Sequence, residues 1–325
     1  MIRRHTRIEQ WAMHEPFEIA REVITHQPVL LLTLSDGAGH TGQAEAAGVD
    51  YDGETPASMA AQVAAVLPHL HDALTGAELL QMLPAGGARN ALDCALWDLR
   101  AKQTGVPVWQ AAGLPRWQPV TTAYTIGLGD EATTQRKARA ARQYPLLKLK
   151  VDAQRHLDVV QMVREEHPTA RIVVDANQAW SPALLRELLP QLARAGVELV
   201  EQPLARGQDA ALDGLQSPIP LAADESCTDR ASLATLVGRY QFVNIKLDKC
   251  GGLTEALALA DEATRHSLGL MVGNMCGTSL AMAPAFLLAQ RCAYVDLDGP
   301  LLQQQDRAAA MQYDNGWIQP PPPAL

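Results

Sequence analysis

The chain has 325 residues, 47% of them hydrophobic and 19% charged, with a net charge of −9 at pH 7. This composition excludes a disordered or fibrous chain, and the length predicts one large domain together with a smaller one. The acidic net charge and the absence of a Lys/Arg cluster count against nucleic acid as a partner, so a small-molecule substrate is expected.

The sequence shows no targeting or membrane signal. Its first residues, MIRRHTRIEQ, lack the apolar core of a signal peptide, and no stretch approaches the ~20 apolar residues of a membrane span. The five cysteines include no Cys-x-x-Cys pair, which argues against a structural zinc site and a disulfide framework. We therefore expect a cytoplasmic protein without membrane partners. A homo-oligomer is compatible with the sequence, which contains no separate interface signature.

Residues 1–117 predict a small α+β domain. A strand meander turns at SDGAGH, and the second of the two helical patterns that follow ends at Gly105, a residue type that commonly ends helices. The predicted strands lie near residues 2–13, 28–35 and 40–46, and the predicted helices near residues 56–74 and 86–103.

Residues 118–303 alternate short apolar strands with helical segments. Eight strands are predicted, centred on VTTAYTI, LLKLK, RIVVDAN, VELVEQP, IPLAADES, FVNIKLD, GLMVGN and YVDLDGP. An open doubly wound sheet is the alternative, but eight consecutive units without a Gly-x-Gly-x-x-Gly turn favour a closed α/β barrel of the TIM type. Helix N-caps are predicted at Asp130, Ser181, Asp229 and Thr254, and a helix C-terminus at Gly196.

The last 22 residues, 304–325, form a tail after the final strand. Its proline run, residues 320–323, is incompatible with a helix, and too few residues remain for an ordinary eighth helix. We predict that the barrel ends irregularly and that this tail packs back on the small domain.

Charged residues stand at the C-terminal ends of the middle and last barrel strands. From Lys150 to Lys246 their successive spacings are 25, 26, 23 and 22 residues, or one strand–helix unit each. A single aspartate after a strand is more often a helix cap or a solvated group. Five charged residues in phase indicate the rim where TIM barrels assemble their active sites. The set comprises Lys150, Asp175, Glu201, Asp224 and Lys246, followed by Asp296 and Asp298.

Three of these residues predict a metal site. Asp175, Glu201 and Asp224 follow neighbouring strands, so their carboxylates converge and would repel one another without a cation between them. Oxygen ligands without histidine or cysteine select Mg²⁺, or Mn²⁺ as the alternative, over zinc. Asn177 lies on the same side and is either a neighbour that supports the metal ligands or the donor of a loop hydrogen bond.

Two lysines face each other across the predicted barrel mouth, since Lys150 is on the second strand and Lys246 on the sixth of eight. Lys148 shares the strand face of Lys150 at roughly 7 Å and is expected to lower the pKa of Lys150 by charge repulsion. Asp248 is predicted either to orient Lys246 through a hydrogen bond or to make only a contact at the rim of the core. Opposed bases around a metal suit removal of a proton α to a carboxylate, through an enediolate, and its return on the other face.

These residues lie in longer motifs: LPAGGARNALDCALWDLRAK (83–102), LKLK, VVDAN, VEQPL, ADES, NIKLDKCGGLTEALALA and VDLDGP. Through them the chain resembles, over essentially its whole length, the muconate-lactonizing subgroup of the enolase superfamily, and most of all the L-Ala-D/L-Glu (dipeptide) epimerases. The resemblance implies a modified TIM barrel, (β/α)7β, with an N-terminal α+β capping domain. It also implies a lysine base acting with Mg²⁺, as is known of enolase-superfamily sites.

The resemblance assigns roles to the strand-end residues. It implies that Lys150 and Lys246 are the acid/base catalysts and that the three carboxylates bind Mg²⁺. Asp296 and Asp298 would hold the α-ammonium group of a dipeptide, which agrees with the attraction of paired carboxylates for a cation. A pair of strand-end caps is the alternative. Lys148 is counted with the substrate-binding residues.

Ile24 departs from the family pattern. In the Ala-Glu epimerases an arginine after the PFxIAR stretch meets the acidic side chain of the second residue, whereas PFEIAREVITHQ has Ile24 at that place. The loop AGVDYDGET adds Asp50, Asp52 and Glu54, so that a neutral or cationic dipeptide is an alternative to glutamate. These acids are otherwise solvated turn residues. Ile24 and Asp50 are the predicted specificity residues.

Other reactions use the same scaffold. Some relatives are racemases of N-acyl amino acids such as N-acetyl-glutamate, and muconate cycloisomerases and o-succinylbenzoate synthases need the same metal and lysines. The Asp296–Asp298 pair favours a substrate with a free amino terminus. A binding protein without catalysis is disfavoured because both lysines are present.

Overall fold

The computed structural model describes residues 2–71, 74–115 and 117–322. Its N-terminal domain is an antiparallel sheet packed against helices. The strands, in their order along the sheet, are β1 (Arg3–Glu18), β2 (Val23–Ser35) and β3 (Thr41–Ala46). The helices are α1 (Pro56–Val66), α2 (Gly76–Met82), α3 (Gly87–Thr104) and α4 (Val108–Ala111). The predicted meander is confirmed, while the first predicted helix is shorter than expected and α2 was not predicted.

The sheet and α3 make a close contact in this domain. A methyl group at Gly42 of β3 would collide with the backbone of Ala95 and Leu99 on α3, so this approach requires glycine. As predicted, α3 ends at Gly105, whose φ of +69° is in the left-handed region.

The rest of the chain forms a barrel of parallel strands after the short strand β4 (Val120–Thr121). Each strand pairs with the next in chain order, and Ala123 N, directly before the first barrel strand, donates to Val295 O of the last strand at 2.7 Å. The predicted α/β barrel with a separate capping domain is confirmed. The strands are β5 (Tyr124–Ile126), β6 (Leu146–Lys150), β7 (Arg171–Asp175), β8 (Val197–Glu201), β9 (Leu221–Ala223), β10 (Phe242–Ile245), β11 (Gly269–Val272) and β12 (Tyr294–Val295).

Helices lie between most of these strands; β8 and β9 are joined through a short 3-10 turn (Asp209–Leu212), and two helices lie between β10 and β11. The helices are α5 (Glu131–Ala140), α6 (Leu157–Glu166), α7 (Pro182–Arg194), α8 (Leu233–Leu236), α9 (Leu247–Cys250), α10 (Leu253–Arg265), α11 (Ser279–Ala289) and α12 (Gly299–Leu302). Within the described residues, no helix is long and apolar enough to cross a membrane.

Alternate residues of the strands point into the barrel. One layer is apolar and consists of Ala123, Leu146, Val173, Leu199, Ala222, Met271 and Tyr294. Because strand side chains alternate with a period of two, the next inward positions are Lys148 and Lys150 on β6, Asp175 on β7 and Glu201 on β8. Charged side chains therefore sit above an apolar layer, at the C-terminal end of the barrel.

The predicted N-caps are confirmed where the capping side chain belongs to the residue directly before the helix. Three of these side chains accept a hydrogen bond from the backbone N–H group three residues further on, namely those of Asp130, Ser181 and Asp229. Thr254 was wrongly predicted as an N-cap. Helix α10 begins two residues earlier than predicted, after the N-cap Gly252, and Asp93 of α3 accepts from Thr254 N at 2.8 Å and from Thr254 Oγ1 at 2.6 Å.

The tail contacts both parts of the molecule. Its strands β13 (Tyr313–Asp314) and β14 (Trp317–Ile318) form a hairpin that pairs with β4. Gln304 N donates to Ala12 O of β1 at 2.9 Å. The domain boundaries at 117 and 303, and the packing of residues 304–325 on the capping domain, stay a prediction, and residues 323–325 lie outside the described part.

Candidate active site

Three buried carboxylates form the floor of the candidate site. Asp175 and Glu201 end β7 and β8, and Asp224 directly follows β9. Asp175 and Glu201 are fully buried, Asp224 is 1% exposed, and one oxygen of each lies within 4.8 Å of the others. The predicted convergence of these residues is therefore present in the fold.

Lys148 is surrounded by acids. Its ammonium lies 2.8 Å from Asp296 Oδ2 and from Glu201 Oε2, and 3.1 Å from Asp175 Oδ2. Burial by itself lowers the pKa of Lys148, but the three carboxylates hold it well above its usual value. The prediction treated Lys148 as a like charge acting on Lys150. In the structure its charge is balanced by acids.

Lys150 and Lys246 occupy strands that are four apart in the ring of eight. Lys150 Nζ lies 2.7 Å from Asp175 Oδ2, and Lys246 Nζ lies 2.8 Å from Asp224 Oδ2. Each residue is 8% exposed. Burial opposes the charged form of Lys246, but the Asp224 charge raises its pKa above the ordinary value. The two amines thus approach the carboxylate floor from opposite sides.

Two further side chains hold the floor and were missed by the sequence analysis. Asn244 Nδ2 donates to Glu201 Oε1 at 2.7 Å, and Lys249 Nζ donates to Asp224 Oδ1 at 2.5 Å. Asn244 lies two residues before Lys246, on the same strand face, and this period-of-two signal could have identified it. Lys249 lies in a helical turn after the strand, where the strand period gives no signal.

The floor carboxylates differ in their acidity. Burial opposes ionisation of Asp224, but the charges of Lys246 and Lys249 hold its pKa well below the usual range. Burial, reinforced by the charge of Asp175, raises the pKa of Glu201. A carboxylate whose ionisation is disfavoured in this way is the group that a bound cation would stabilise.

The donor set fits a hard divalent cation. Glu201 Oε2 is buried and, although it lies 2.8 Å from the Lys148 ammonium, it receives no hydrogen bond from the described residues. Three carboxylates on adjacent strands supply the oxygen ligands that Mg²⁺ prefers. The residues that could hold it are Asp175, Glu201 and Asp224.

A cavity of about 490 Å³ lies between the barrel mouth and the N-terminal domain. Both Lys150 and Lys246 line it, as do Ile24 and Asp50 of the N-terminal domain. A second cavity, of about 400 Å³ and lined by Trp97, Trp109 and Trp117, contains none of the predicted site residues.

Asp296 and Asp298 lie beside the cavity that Lys150 and Lys246 line, but they do not line it themselves. Asp298 Oδ2 accepts from Thr125 N at 2.6 Å, and Asp296 Oδ2 accepts from Lys148 Nζ at 2.8 Å. Burial, together with the charge of Asp296, raises the pKa of Asp298. The two aspartates are therefore paired with protein groups, and their role in binding an ammonium group stays a prediction.

Asp248 and Asn177 lie near the site and agree with the sequence-based expectations to different degrees. The predicted hydrogen bond from Lys246 to Asp248 is wrong: Lys246 Nζ donates to Asp224 Oδ2, and Asp248 Oδ1 accepts from Gly48 N at 2.9 Å, which joins α9 to the N-terminal domain. Asn177 donates its backbone N–H to Asp175 Oδ1 at 2.9 Å, and its side chain lines the cavity.

Comparisons with known families cover both domains. A family model for the N-terminal domain of mandelate racemase/muconate lactonizing enzymes matches residues 1–113, and a model described as enolase C-terminal domain-like matches residues 130–323. The chain belongs to the enolase superfamily. The resemblance seen in the sequence motifs is thus confirmed.

Two known enzymes are similar to this chain over most of its length. L-Ala-D/L-Glu epimerase of Escherichia coli (strain K12) is 42% identical over 310 residues, which cover 95% of this chain and 96% of the relative. N-acetyl-D-glutamate racemase of a Pseudoalteromonas species is 45% identical over 243 residues, which cover 75% and 77%.

Solved superfamily structures share the whole fold. An enolase family member from Agrobacterium tumefaciens, with homology to dipeptide epimerases and bound sodium and L-Ala-L-Glu, has a TM-score of 0.96 at 40% identity and covers 100% of this chain and 99% of its own. A dipeptide epimerase from Methylococcus capsulatus, complexed with Mg and L-Arg-D-Lys, has a TM-score of 0.88 at 28% identity, with coverages of 98% and 96%.

Proposed function

We propose that this chain is a Mg²⁺-dependent epimerase that inverts the α-carbon of the C-terminal residue of a dipeptide by 1,1-proton transfer through an enediolate. The observation that carries this proposal is the placement of Lys150 and Lys246 on opposite strands, both lining one cavity above three carboxylates. The similarity to known dipeptide epimerases supports it.

The two lysines divide the proton transfer between them. The neutral amine of one takes the α-proton from its face of the carbon, and the ammonium of the other returns a proton to the opposite face. Racemisation at one carbon needs this arrangement, because a single base returns the proton to the face from which it came. Lys150 is the base in one direction of the reaction and Lys246 in the other. A cation held by Asp224 would offset the carboxylate charge that raises the pKa of Lys246, and so would favour its neutral amine.

The floor carboxylates would hold the cation. When bound there, Mg²⁺ supplies positive charge that stabilises the substrate carboxylate as it gains negative charge. Mn²⁺ is proposed as a substitute, because its preference for oxygen ligands is similar. Chelation should abolish exchange, and added Mg²⁺ or Mn²⁺ should restore it, as measured by deuterium incorporation.

The remaining predicted residues are proposed to position the substrate. Asp296 and Asp298 would take its α-ammonium group, and Lys148, which lies against the floor acids, would border its carboxylate. Ile24 and Asp50 line the cavity on the capping side, where the side chain of the second residue would lie.

Racemisation of an N-acyl amino acid is the second candidate. It is favoured by the 45% identity to N-acetyl-D-glutamate racemase, and by the burial of Asp296 and Asp298, which leaves them no open face toward the cavity. The same lysines and metal site would serve this reaction, since the proton removed is again α to a carboxylate.

Hydrogen exchange separates these reactions. The chain is incubated with Mg²⁺ in D₂O together with L-Ala-L-Xaa dipeptides and with N-acetyl amino acids, and mass spectrometry detects deuterium at the α-carbon. We expect exchange with dipeptides. Exchange with N-acetyl amino acids alone would favour the second candidate, and turnover of only a muconate or succinylated acid would reject both.

The proposed setting is the cytoplasm, with a small molecule as substrate and neither nucleic acid nor membrane as partner. The net charge of −9 supports this, because phosphate-rich partners select basic surfaces. A homo-oligomer is compatible with it, and light scattering would measure the molar mass in solution.

A further inference from the structure

The N-terminal domain contributes the cavity wall that would face the substrate side chain. In the proposed reaction the inverted carbon lies between Lys150 and Lys246, its carboxylate points to the floor, and its nitrogen points toward the paired aspartates after β12. The remaining substituent, the side chain of the second residue, therefore extends toward segments 17–28 and 47–56, which line the cavity.

Two of the acids in segment 47–56 are already engaged. Asp52 does not line the cavity and forms a two-point ion pair with Arg206, with nitrogen–oxygen distances of 2.5 and 3.0 Å. Glu54 Oε2 accepts from the backbone N–H groups of Val49 and Gly87, each at 2.9 Å. Both carboxylates thus have structural partners and contribute little to a ligand.

Glu22 and Asp50 differ from Asp52 and Glu54 in their surroundings. Both line the cavity, and their carboxyl groups share a hydrogen bond. Burial, together with this hydrogen bond and the charge of Asp50, raises the pKa of Glu22. Neither carboxylate has a basic side-chain nitrogen within 4.0 Å among residues 2–71, 74–115 and 117–322. Arg21 acts on both acids only from beyond this distance, so the pair keeps a net negative charge that attracts a cation.

Glu225 gives independent evidence for a cationic ligand. It lines the same cavity with a side chain that is 1% exposed, and its Oε1 accepts from Arg21 Nη1 at 2.7 Å. Its Oε2 is buried and receives no hydrogen bond in the described part of the chain. Arg21 is therefore neutralised by Glu225, and the wall retains an acceptor that a donor from the substrate would satisfy.

Ile24 supplies the apolar part of the wall. It packs against the buried cluster of Met13, Phe17 and Ile19, two residues along the chain from Glu22. Lysine and arginine side chains combine methylene groups with a charged end, and they favour surfaces on which the stem is covered and the head meets acids. An acidic side chain would find Arg21 occupied and two carboxylates near its own.

We propose that Glu22 and Asp50 bind the cationic side chain of a lysine or arginine at the second position of the dipeptide. The methylene stem lies along Ile24, and Glu225 provides a further acceptor on the same wall. This inference rests on the proposed epimerase function and specifies its substrate class. Glutamate at the second position is disfavoured by charge repulsion.

The test compares three dipeptides with the full chain and Mg²⁺ in D₂O. The kcat/KM for α-hydrogen exchange is measured with L-Ala-L-Lys, L-Ala-L-Met and L-Ala-L-Glu. We expect it to fall in that order, with about tenfold or more between the lysine and glutamate dipeptides. An equal or higher value for L-Ala-L-Glu overturns the inference and leaves the epimerase function intact. No exchange with any dipeptide overturns both.

A double variant tests whether Glu22 and Asp50 cause the preference for a cationic side chain. Replacing both by amides, Glu22→Gln with Asp50→Asn, is expected to lower kcat/KM for L-Ala-L-Lys by about tenfold, mainly through KM, and to raise it for L-Ala-L-Glu. Asp52→Asn, in the same loop but outside the cavity, is the matched control and should leave the ratio of the two values unchanged. A double variant with an unchanged ratio contradicts the proposal.

Discussion

Glu201 is held differently at its two oxygens. Asn244 Nδ2 donates to Oε1 at 2.7 Å, while Oε2 receives no hydrogen bond from the described residues and lies 2.8 Å from the Lys148 ammonium. Burial and the charge of Asp175 raise the pKa of Glu201, and a cation bound to the floor would stabilise its charged form. The residue is therefore the most informative position for testing the metal site.

Replacing this carboxylate should weaken Mg²⁺ binding directly. Loss of a group that only supports a metal ligand costs about 10- to 100-fold in affinity, and loss of a ligand should cost no less. We expect Glu201→Gln to weaken Mg²⁺ by at least about tenfold in isothermal titration calorimetry. Glu198→Gln, on the same strand but paired with Arg171 at the surface, should bind Mg²⁺ like the wild type. Equal affinities in both variants would rule out the site.

The positions of single site residues were predictable where local periodicity decides them. Lys150 and Asp175 follow from the two-residue period of strands and the regular spacing of strand ends. Asp248 could not be placed, because its partner Gly48 is 200 residues away in the chain. The balance of the Lys148 charge was missed for the same reason, since its partner Asp296 is 148 residues away.

At the scale of elements, a residue of α3 caps the N-terminus of α10 and so joins the two helices. Gly252 precedes α10 with φ of +109° and has no side chain to cap it, so Asp93 of α3 accepts from Thr254 instead. Asp130 and Ser181 cap their own helices and were predictable from sequence. The cap of α10 was not, because it comes from the other domain.

This cap predicts a pH dependence of stability. Burial, opposed by hydrogen bonds from Thr254, raises the pKa of Asp93 from 3.8 to about 6. The folded state then holds the proton more tightly, so this contribution to stability is complete below pH 3.8 and is lost as the pH rises through about 6. Relative to Asp93→Asn, the wild-type free energy of unfolding should fall by about 1 kcal/mol between about pH 5 and about pH 7. Urea denaturation measures it, and parallel pH profiles would contradict the assignment.

At the scale of the whole molecule, an ion-pair network connects Arg307 of the tail to the N-terminal sheet. Arg307 pairs with the buried Glu45 of β3, and its Nη1 lies 2.7 Å from Glu9 Oε2 of β1. Glu45 Oε1 also accepts from Thr278 N at 2.8 Å, at the start of α11. The network therefore connects the tail, the N-terminal sheet and a barrel helix through one buried carboxylate.

Breaking this network should destabilise the protein. Arg307→Met leaves Glu45 buried with one partner fewer, and we expect the free energy of unfolding to fall by about 3 kcal/mol. Arg291→Met removes an arginine from a surface pair with Asp261 and should cost less than about 1 kcal/mol. Thermal and urea denaturation of both variants would measure the difference. If Arg307→Met lowers the free energy of unfolding no more than the control does, the network contributes no more to stability than a surface ion pair.

The opposition of the two lysines is tested most directly by deuterium exchange with each pure epimer of a reactive dipeptide. In Lys246→Ala, exchange should fall by about 100-fold or more for one epimer and be largely retained for the other, because Lys150 still serves its own face. Lys150→Ala should show the reverse preference. Loss of exchange with the same epimer in both variants, or an equal loss of exchange with both epimers in each variant, would contradict catalysis from opposite faces.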